Sequence, residues 1–255
     1  MKYVPELVKS GGLQVADVDS AIRDTFRVRI EAGLFDPEAG QPFTELQTKV
    51  TAAADAQEAA RDAVILLKNE GRVLPIRRGS KVLLTGPFAM QQFSSAISGI
   101  DTGAHITIVE GCTATGSNTS SFAAAVDAVK TVDAIILCLG SEESLEHEYH
   151  DRVNASLPGV QAEFAQAALA AAAAGRKPAV AVLSNRGSLS VDELKATCPA
   201  IVLGWAPGGG GSPSMWSIAP VAEALYGVFS PAGKTPYTVS ASHRLDSDVH
   251  CGCTG

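Results

Sequence analysis

Ala134-Ile135-Ile136-Leu137-Cys138-Leu139-Gly140 is an apolar run with no polar residue at alternate positions. Alternation would mark a strand with one wet face. A continuous run marks a strand buried on both faces, as in a parallel sheet covered by helices. Working outward, runs of the same kind recur at Val82-Leu83-Leu84, Ile106-Thr107-Ile108-Val109, Ala179 to Leu183 and Ile201-Val202-Leu203. Helix-prone stretches lie between most of them, at 121–129, 159–174 and 191–197, with another near 217–226. The stretch from Val160 to Ala174 is Ala-rich and strongly helix-forming, with Phe164 and Leu169 to pack, and it ends at Gly175. This order predicts an α/β fold: a mainly parallel sheet with helices on both faces, an α/β sandwich, joined by right-handed crossovers.

Upstream, residues 1–62 read as a helical segment that packs at the margin of the sheet. Val18, Ile22, Phe26 and Ile30 recur every four residues, with Val15 on the same side, which makes one apolar helix face. Gly33 follows and can close that helix, and Pro37 disfavours helix at Asp36. Residues 36–44 hold two prolines and a glycine and read as a linker. Thr51 to Lys68 is Ala-rich and again helix-prone, running through Val64-Ile65-Leu66-Leu67 to stop at Asn69-Glu70-Gly71. Residues 63–239 form the predicted sandwich domain, and residues 240–255 a polar, irregular tail expected to be poorly ordered.

Composition narrows the function. The chain has 255 residues, of which 46% are hydrophobic, enough for a full core. Its formal charge of −7 argues against a nucleic-acid partner, which would need a basic face. No run of about 18 apolar residues occurs, so no membrane helix is expected. The start, Met1-Lys2-Tyr3-Val4-Pro5-Glu6, has no apolar core of a secretory signal. Cys138 reads as a core residue, and Cys251-Gly252-Cys253 is a lone pair with no second ligand pair for a metal.

Ligands of open parallel sheets bind at the carboxyl ends of strands. The loop after Leu84 (Thr85-Gly86-Pro87-Phe88) has no phosphate-binding glycine pattern. The one after Gly204 carries four glycines, Gly208 to Gly211, and reads as a flexible turn or as a place where backbone approaches a ligand or a neighbouring domain. The loop after Gly140 is unusual. It runs eighteen residues, from Ser141 to Pro158, where strand-to-helix loops usually take about 2–6. It holds five carboxylates and two histidines: Glu142, Glu143, Glu146, His147, Glu148, His150 and Asp151, followed by Arg152. A solvated acidic loop with an Asp151–Arg152 ion pair is one reading. A metal site built on His147 and His150 is another, but it lacks the spacing and the helix that usually place such ligands. A Ser-His-Asp triad would need a nucleophile elbow, and none is present. A general acid needs a single carboxyl that keeps its proton near neutral pH, and crowding by carboxylates favours that.

Several stretches together resemble glycoside hydrolase family 3, most like its β-xylosidase branch. Glu146-His147-Glu148-Tyr149-His150-Asp151-Arg152 is similar to the family's Glu-x-Glu-Gly-His-Asp-Arg loop, and Leu157-Pro158-Gly159-Val160-Gln161 to the Leu-Pro-Gly-x-Gln that follows it. Val64-Ile65-Leu66-Leu67-Lys68-Asn69-Glu70-Gly71 and Val73-Leu74-Pro75-Ile76 resemble the opening of the family's second domain. Asp17 to Arg23 and Gly33-Leu34-Phe35-Asp36-Pro37 look like the end of its first domain and the linker. Trp205-Ala206-Pro207-Gly208 and Gly227 to Pro236 resemble its closing segments. The resemblance spans about residues 3–239. The stretch from Gly86 to Gly111 is shorter than usual, and the tail after Thr238 leaves the pattern.

The resemblance implies an α/β sandwich that supplies one of two catalytic carboxyls. The nucleophile of the family is an aspartate of an N-terminal barrel, which this chain lacks, so it looks like a fragment or an incomplete gene product. The acid/base is a glutamate of the long loop. The motif points first to Glu148, three residues before Asp151, with Glu146 as the alternative register. His150, Asp151 and Arg152 are the implied substrate-binding residues. Neither cofactor nor metal is implied. The implied partners are an oligosaccharide or glycoside substrate and a family 3 barrel, in a longer chain or in trans. Members are often secreted, and the compartment is not fixed by the chain. The competing reading is a non-catalytic remnant that binds carbohydrate or a partner. The two readings diverge at the glutamates: a working acid should be open and free of charge partners, and a remnant should have both glutamates tied up.

Overall fold

The computed structural model describes residues 3–41, 53–150, 152, 154–205 and 215–238. These fall into two compact units, one within residues 1–52 and the other from residue 53 onward. No helix among the described residues is long and apolar enough to cross a membrane.

The first unit holds helices α1 (Val4–Lys9) and α2 (Val15–Glu31). A capping box starts α2, with Asp17 accepting from the Gln14 amide at 3.1 Å. Gly33, at φ +76, ends it. The Gly33 amide donates to the Ile30 carbonyl and the Leu34 amide to the Arg29 carbonyl, both at 3.0 Å. That 5→2 and 6→1 pair is a Schellman closure, with glycine at the left-handed position the sequence assigned to it. Val15, Ile22, Phe26 and Ile30 are exposed, Val18 is half-buried, and the helix buries no residue completely. Phe26 stacks on Phe35, with ring centroids 5.7 Å apart.

The second unit contains α3 (Ala53–Ala63), β1 (Ile65–Asn69), β2 (Lys81–Thr85), α4 (Gln91–Ile100), β3 (His105–Val109), α5 (Phe122–Val129), β4 (Ala134–Gly140), α6 (Gln161–Ala174), β5 (Ala179–Ser184), α7 (Asp192–Lys195), β6 (Ala200–Leu203) and α8 (Met215–Leu225). The strands form one sheet in the order β1-β6-β5-β4-β2-β3. Every pairing is parallel except β1 with β6.

Side chains alternate across the strands and build two cores. Leu83, Ile135, Leu137, Leu139, Leu183, Ile201 and Leu203 face α5, α6 and α7, where Phe164, Ala165, Ala168 and Leu194 meet them. Val82, Leu84, Ile136, Cys138, Val180 and Val202 face α4 and α8, where Phe93, Ile97, Val221 and Leu225 close the other layer. The predicted sandwich with helices on both faces is therefore present. Outside it, α3 is held to α8 by the Arg61 guanidinium, which grips Glu223 through two hydrogen bonds of 2.6 and 3.0 Å.

Two local readings are corrected. The helix predicted to run from Thr51 to Lys68 stops at Ala63, and Ile65–Asn69 is a strand. It is a strand because it pairs with β6, Ile65 opposite Leu203 and Asn69 opposite Ala200. A further helix, α4, occupies a stretch that received no assignment from the sequence. The Gly-rich segment 208–211, the tail from 240 and Cys251–Cys253 lie outside the described residues.

Two later segments return to the start of β1. The Gly233 amide donates to the Val64 carbonyl at 3.1 Å, and the Trp205 indole donates to the Ala63 carbonyl at 3.0 Å.

Burial controls the thiols. It pushes Cys112 up to about 11, with Glu110 adding to the effect, and raises Cys138 and Cys198 as well. A raised thiol pKa leaves the unreactive protonated form dominant at pH 8. Alkylation at pH 8 mapped by mass spectrometry should therefore leave Cys112, Cys138 and Cys198 unmodified in the folded chain and modify all three in denaturant. Rapid native labelling of Cys138 would contradict the core assigned here.

Candidate functional site

The sheet reverses its direction of growth between β2 and β4. From β2 the chain passes through α4 to the outer strand β3, and from β4 it passes through α6, on the opposite face, to β5. Loops leaving the carboxyl ends of such neighbours part to opposite sides and open a crevice. The long loop from Ser141 to Pro158 leaves β4 at this point.

Its base is fixed by one buried amide. Gln161, fully buried at the start of α6, accepts from the Gly140 amide at 2.9 Å. It donates to the carbonyls of Gly140 and Ala114, both at 2.8 Å. The side chain thus acts as a strand partner for the last residue of β4 and pins a second loop beside it. This gives the Leu157-Pro158-Gly159-Val160-Gln161 stretch a physical role that the sequence did not disclose. Gln161→Leu should strand the buried amide and carbonyl of Gly140 and the part-buried carbonyl of Ala114, at a cost of about 3 kcal/mol. Urea unfolding followed by circular dichroism should show the loss, and an unchanged midpoint would refute the clamp.

The acidic residues then separate by role. Glu142 accepts from the Ser144 hydroxyl at 2.7 Å, and Glu143 pairs with Arg186 at 3.1 Å. Glu146 is drawn inward, and its carboxylate accepts from the Ser141 hydroxyl at 2.6 Å and from the Gly187 amide at 2.9 Å. The Arg152 guanidinium lies 3.8 Å from it, and the two side chains are only 12% and 18% exposed. Arg152 also donates to the carbonyls of Ser156 and Ser188. The Tyr237 hydroxyl donates to the Gly187 carbonyl at 3.1 Å, and burial, followed by the nearby Glu146 carboxylate, raises its pKa. Glu146 and Arg152 together therefore tie the long loop to the loop after β5.

Glu148 is placed differently. His147 and His150 exchange backbone hydrogen bonds, at 3.1 and 2.9 Å, and close a two-residue hairpin. Glu148 and Tyr149 are its central residues. Glu148 is exposed and makes no hydrogen bond or ion pair with any described residue. His150 is exposed beside it, with its ring centroid 5.3 Å from that of His147. Asp151 lies outside the described residues, and with it the Asp151–Arg152 ion pair. Among the described residues no group of three His, Cys, Asp or Glu side chains is placed to hold a metal ion.

The structure thus brings Glu146 and Arg152 together and leaves Glu148 and His150 at the tip. Ser141, Gly187 and Gln161, which hold the loop, were not singled out from the sequence. Gly187 is 41 positions from Glu146, and no local pattern signals that contact. A cavity of about 630 Å³ is lined by Leu183, Asn185, Leu203 and Tyr237 among others, and neither glutamate lines it.

Residues 64–250 match the family described as the glycosyl hydrolase family 3 C-terminal domain. The chain is 31% identical to β-D-xylosidase 1 of Arabidopsis thaliana, over 91% of its own length and 31% of that protein's. It is 27% identical to a periplasmic β-glucosidase of Salmonella typhimurium, over 94% of its own length and 36% of that protein's. It superposes on a β-glucosidase from Erythrobacter marinus with a TM-score of 0.71 at 25% identity, covering 91% of this chain and 36% of the other. On a family 3 exo-β-xylosidase solved with a xylobiose aziridine probe the TM-score is 0.76 at 23% identity, covering 94% and 32%, a likeness of fold alone. The chain spans about a third of the length of the curated relatives it matches.

Proposed function

Because this chain belongs to glycoside hydrolase family 3, through that family's C-terminal domain, we propose that it supplies the acid/base carboxyl for hydrolysis of O-glycosyl bonds. The reaction is β-xylosidase-like and exo-acting, on xylo-oligosaccharides or β-glucosides. Residues 63–239 are the working sandwich, and a family 3 barrel, in a longer chain or in trans, provides the nucleophile and the floor for the sugar.

The observation that carries this reading is the contrast between the two glutamates. Glu148 is exposed at a hairpin tip with no partner among the described residues, and Glu146 is held by Ser141 and Gly187 with Arg152 beside it. A carboxylate already engaged by two donors has little capacity to give a proton to a leaving oxygen. Glu148 is then the acid/base and Glu146 the strut that holds its loop. His150 and Asp151, which follow the central pair in sequence, are the substrate-binding residues, with Arg152 acting through Glu146. The remnant reading is favoured where both glutamates are tied up, and of the two only Glu146 is held in that way.

In a retaining glycosidase the two carboxyls sit about 5–5.5 Å apart, one attacking the sugar and one protonating the leaving oxygen. Once the glycosyl-enzyme has formed, the same acid, now a carboxylate, takes a proton from water. The reading is tested with Glu148→Ala in a form of the protein carrying a matching barrel. Activity on an unactivated disaccharide should fall by about 10²–10⁴-fold, and cleavage of an aryl glycoside with a good leaving group should be largely kept in its first step. Full activity on the disaccharide would rule Glu148 out and make Glu146 the next residue to replace.

A further inference from the structure

The tip of the hairpin carries a residue that the fold does not account for. Of the two central residues, only Tyr149 has positive φ, at +70. A turn with positive φ at its second central position asks for glycine or asparagine there, and left-handed backbone is unfavourable for a bulky side chain. The reciprocal His147–His150 hydrogen bonds hold the turn closed and keep Tyr149 in that conformation. Its side chain gains nothing from the described residues in return. Tyr149 is 98% exposed, and no ring or hydrogen-bond contact with a described residue involves it. By contrast, Tyr237 packs edge-on to Trp205 and Tyr226 is buried. A strained, bare aromatic is an outlier of the kind that collects at ligand-binding positions.

We infer that Tyr149 is a specificity-determining residue, whose ring stacks on the leaving-group sugar of the glycoside cleaved at the neighbouring Glu148. The inference rests on the acid/base reading of Glu148. Neighbouring Cα atoms are about 3.8 Å apart, so Glu148 and Tyr149 reach the same small region. The acid must sit beside the oxygen that joins the two sugars. A ring one residue further along the turn then meets the sugar on the leaving side. The C–H face of a pyranose presents apolar, weakly positive hydrogens to an aromatic face, whose quadrupole is negative. A tyrosine loses little side-chain freedom on binding and gives both this face and a polar edge.

The test compares Tyr149→Gly, Tyr149→Phe and Glu148→Gln in these 255 residues supplied with a family 3 barrel. Two substrates are used: a β-1,4-linked disaccharide and a glycosyl fluoride, whose leaving group has no ring and needs little protonation. Tyr149→Gly suits the positive φ and should melt no lower than the parent. It should lose about tenfold in kcat/KM on the disaccharide, mostly through KM, with the glycosyl fluoride unchanged and the pH profile unmoved. Tyr149→Phe should stay near the parent. Equal losses on both substrates, or no loss on either, overturn the inference. A lowered affinity for the barrel with unchanged substrate preference overturns it too, by making Tyr149 a docking residue. Glu148→Gln separates the two readings, because a neutral result there with a disaccharide-specific Tyr149→Gly loss removes the acid assignment only. If the assembly is inactive, ring resonances of the 255-residue chain decide. On titration with xylobiose to about 50 mM, a range for millimolar and weaker affinities, those of Tyr149 should shift and those of Tyr226 should not. No shift at Tyr149 overturns the inference.

Discussion

A polypeptide of these 255 residues, assayed alone, should not cleave an aryl β-xyloside or β-glucoside at an enzymatic rate. Cleavage with retention needs a nucleophile below the sugar and an acid beside the leaving oxygen, both held near working geometry. In the long loop Glu142 accepts from Ser144, Glu143 pairs with Arg186 and Glu146 is held between Ser141 and Gly187. Of the loop's described carboxylates that leaves Glu148, on an exposed tip. A lone acid contributes about 10²–10⁴-fold on a bound substrate, far below the roughly 10⁶-fold or more that enzymes reach. Adding a matching barrel that docks should restore turnover by several orders of magnitude. Release of nitrophenol from the chain alone, at more than about one turnover per second, would show that another of its carboxylates attacks the sugar.

Gly140→Ala should be the most damaging single methyl among the described glycines. Gly140 ends β4 at φ +149, and a Cβ there would fall 1.6 Å from the Ser184 carbonyl oxygen. That oxygen accepts from the Ser141 amide at 2.9 Å, at the point where the long loop begins. To admit the methyl, β4 and β5 must separate at their ends and Gln161 must give up its contacts with Gly140. The expected cost is about 4 kcal/mol or more, enough to leave little folded protein at 37 °C. Gly99→Ala is the matching control. Gly99 lies in α4, and a Cβ added there meets nothing within 4 Å, so it should stabilise by about 0.5–1 kcal/mol. Urea midpoints of the two variants should move in opposite directions. A Gly140→Ala chain as stable as the parent would show that the β4–β5 junction yields easily.

The sheet was legible because its strands are short apolar runs between helical stretches, and that pattern has few solutions. Two elements escaped for opposite reasons. The Ala-rich helix α3 runs straight into Val64-Ile65-Leu66-Leu67, and local propensity cannot separate a helix tail from a strand there. The pairing with Ala200–Leu203, over a hundred positions away, decides it. In α4, Ser94, Ser95, Ser98 and Gly99 are poor helix formers, and the helix is held by Phe93, Ala96 and Ile97 in the core. At the candidate site the loop and its two glutamates were visible, and the motif placed Glu148 ahead of Glu146. The difference in their surroundings was not visible, because Ser141, Gly187 and Arg152 are brought to Glu146 by the fold. The apolar face of α2 was legible as a pattern, because periodicity reports which side of a helix is apolar.

The bond from Gly233 to Val64, with Trp205 closing on Ala63, places the segment after α8 beside the start of β1. A module whose two ends meet can be moved between genes with a single seam, since a host protein opened at one surface loop need not stretch to receive it. The same closeness makes the unit a natural subject for circular permutation. Joining residues near 64 and 233 by a short linker and cutting elsewhere would keep the order of strands in space while changing their order of synthesis. Folding of such a permutant would show that the sheet depends on which strands lie side by side and not on which is made first.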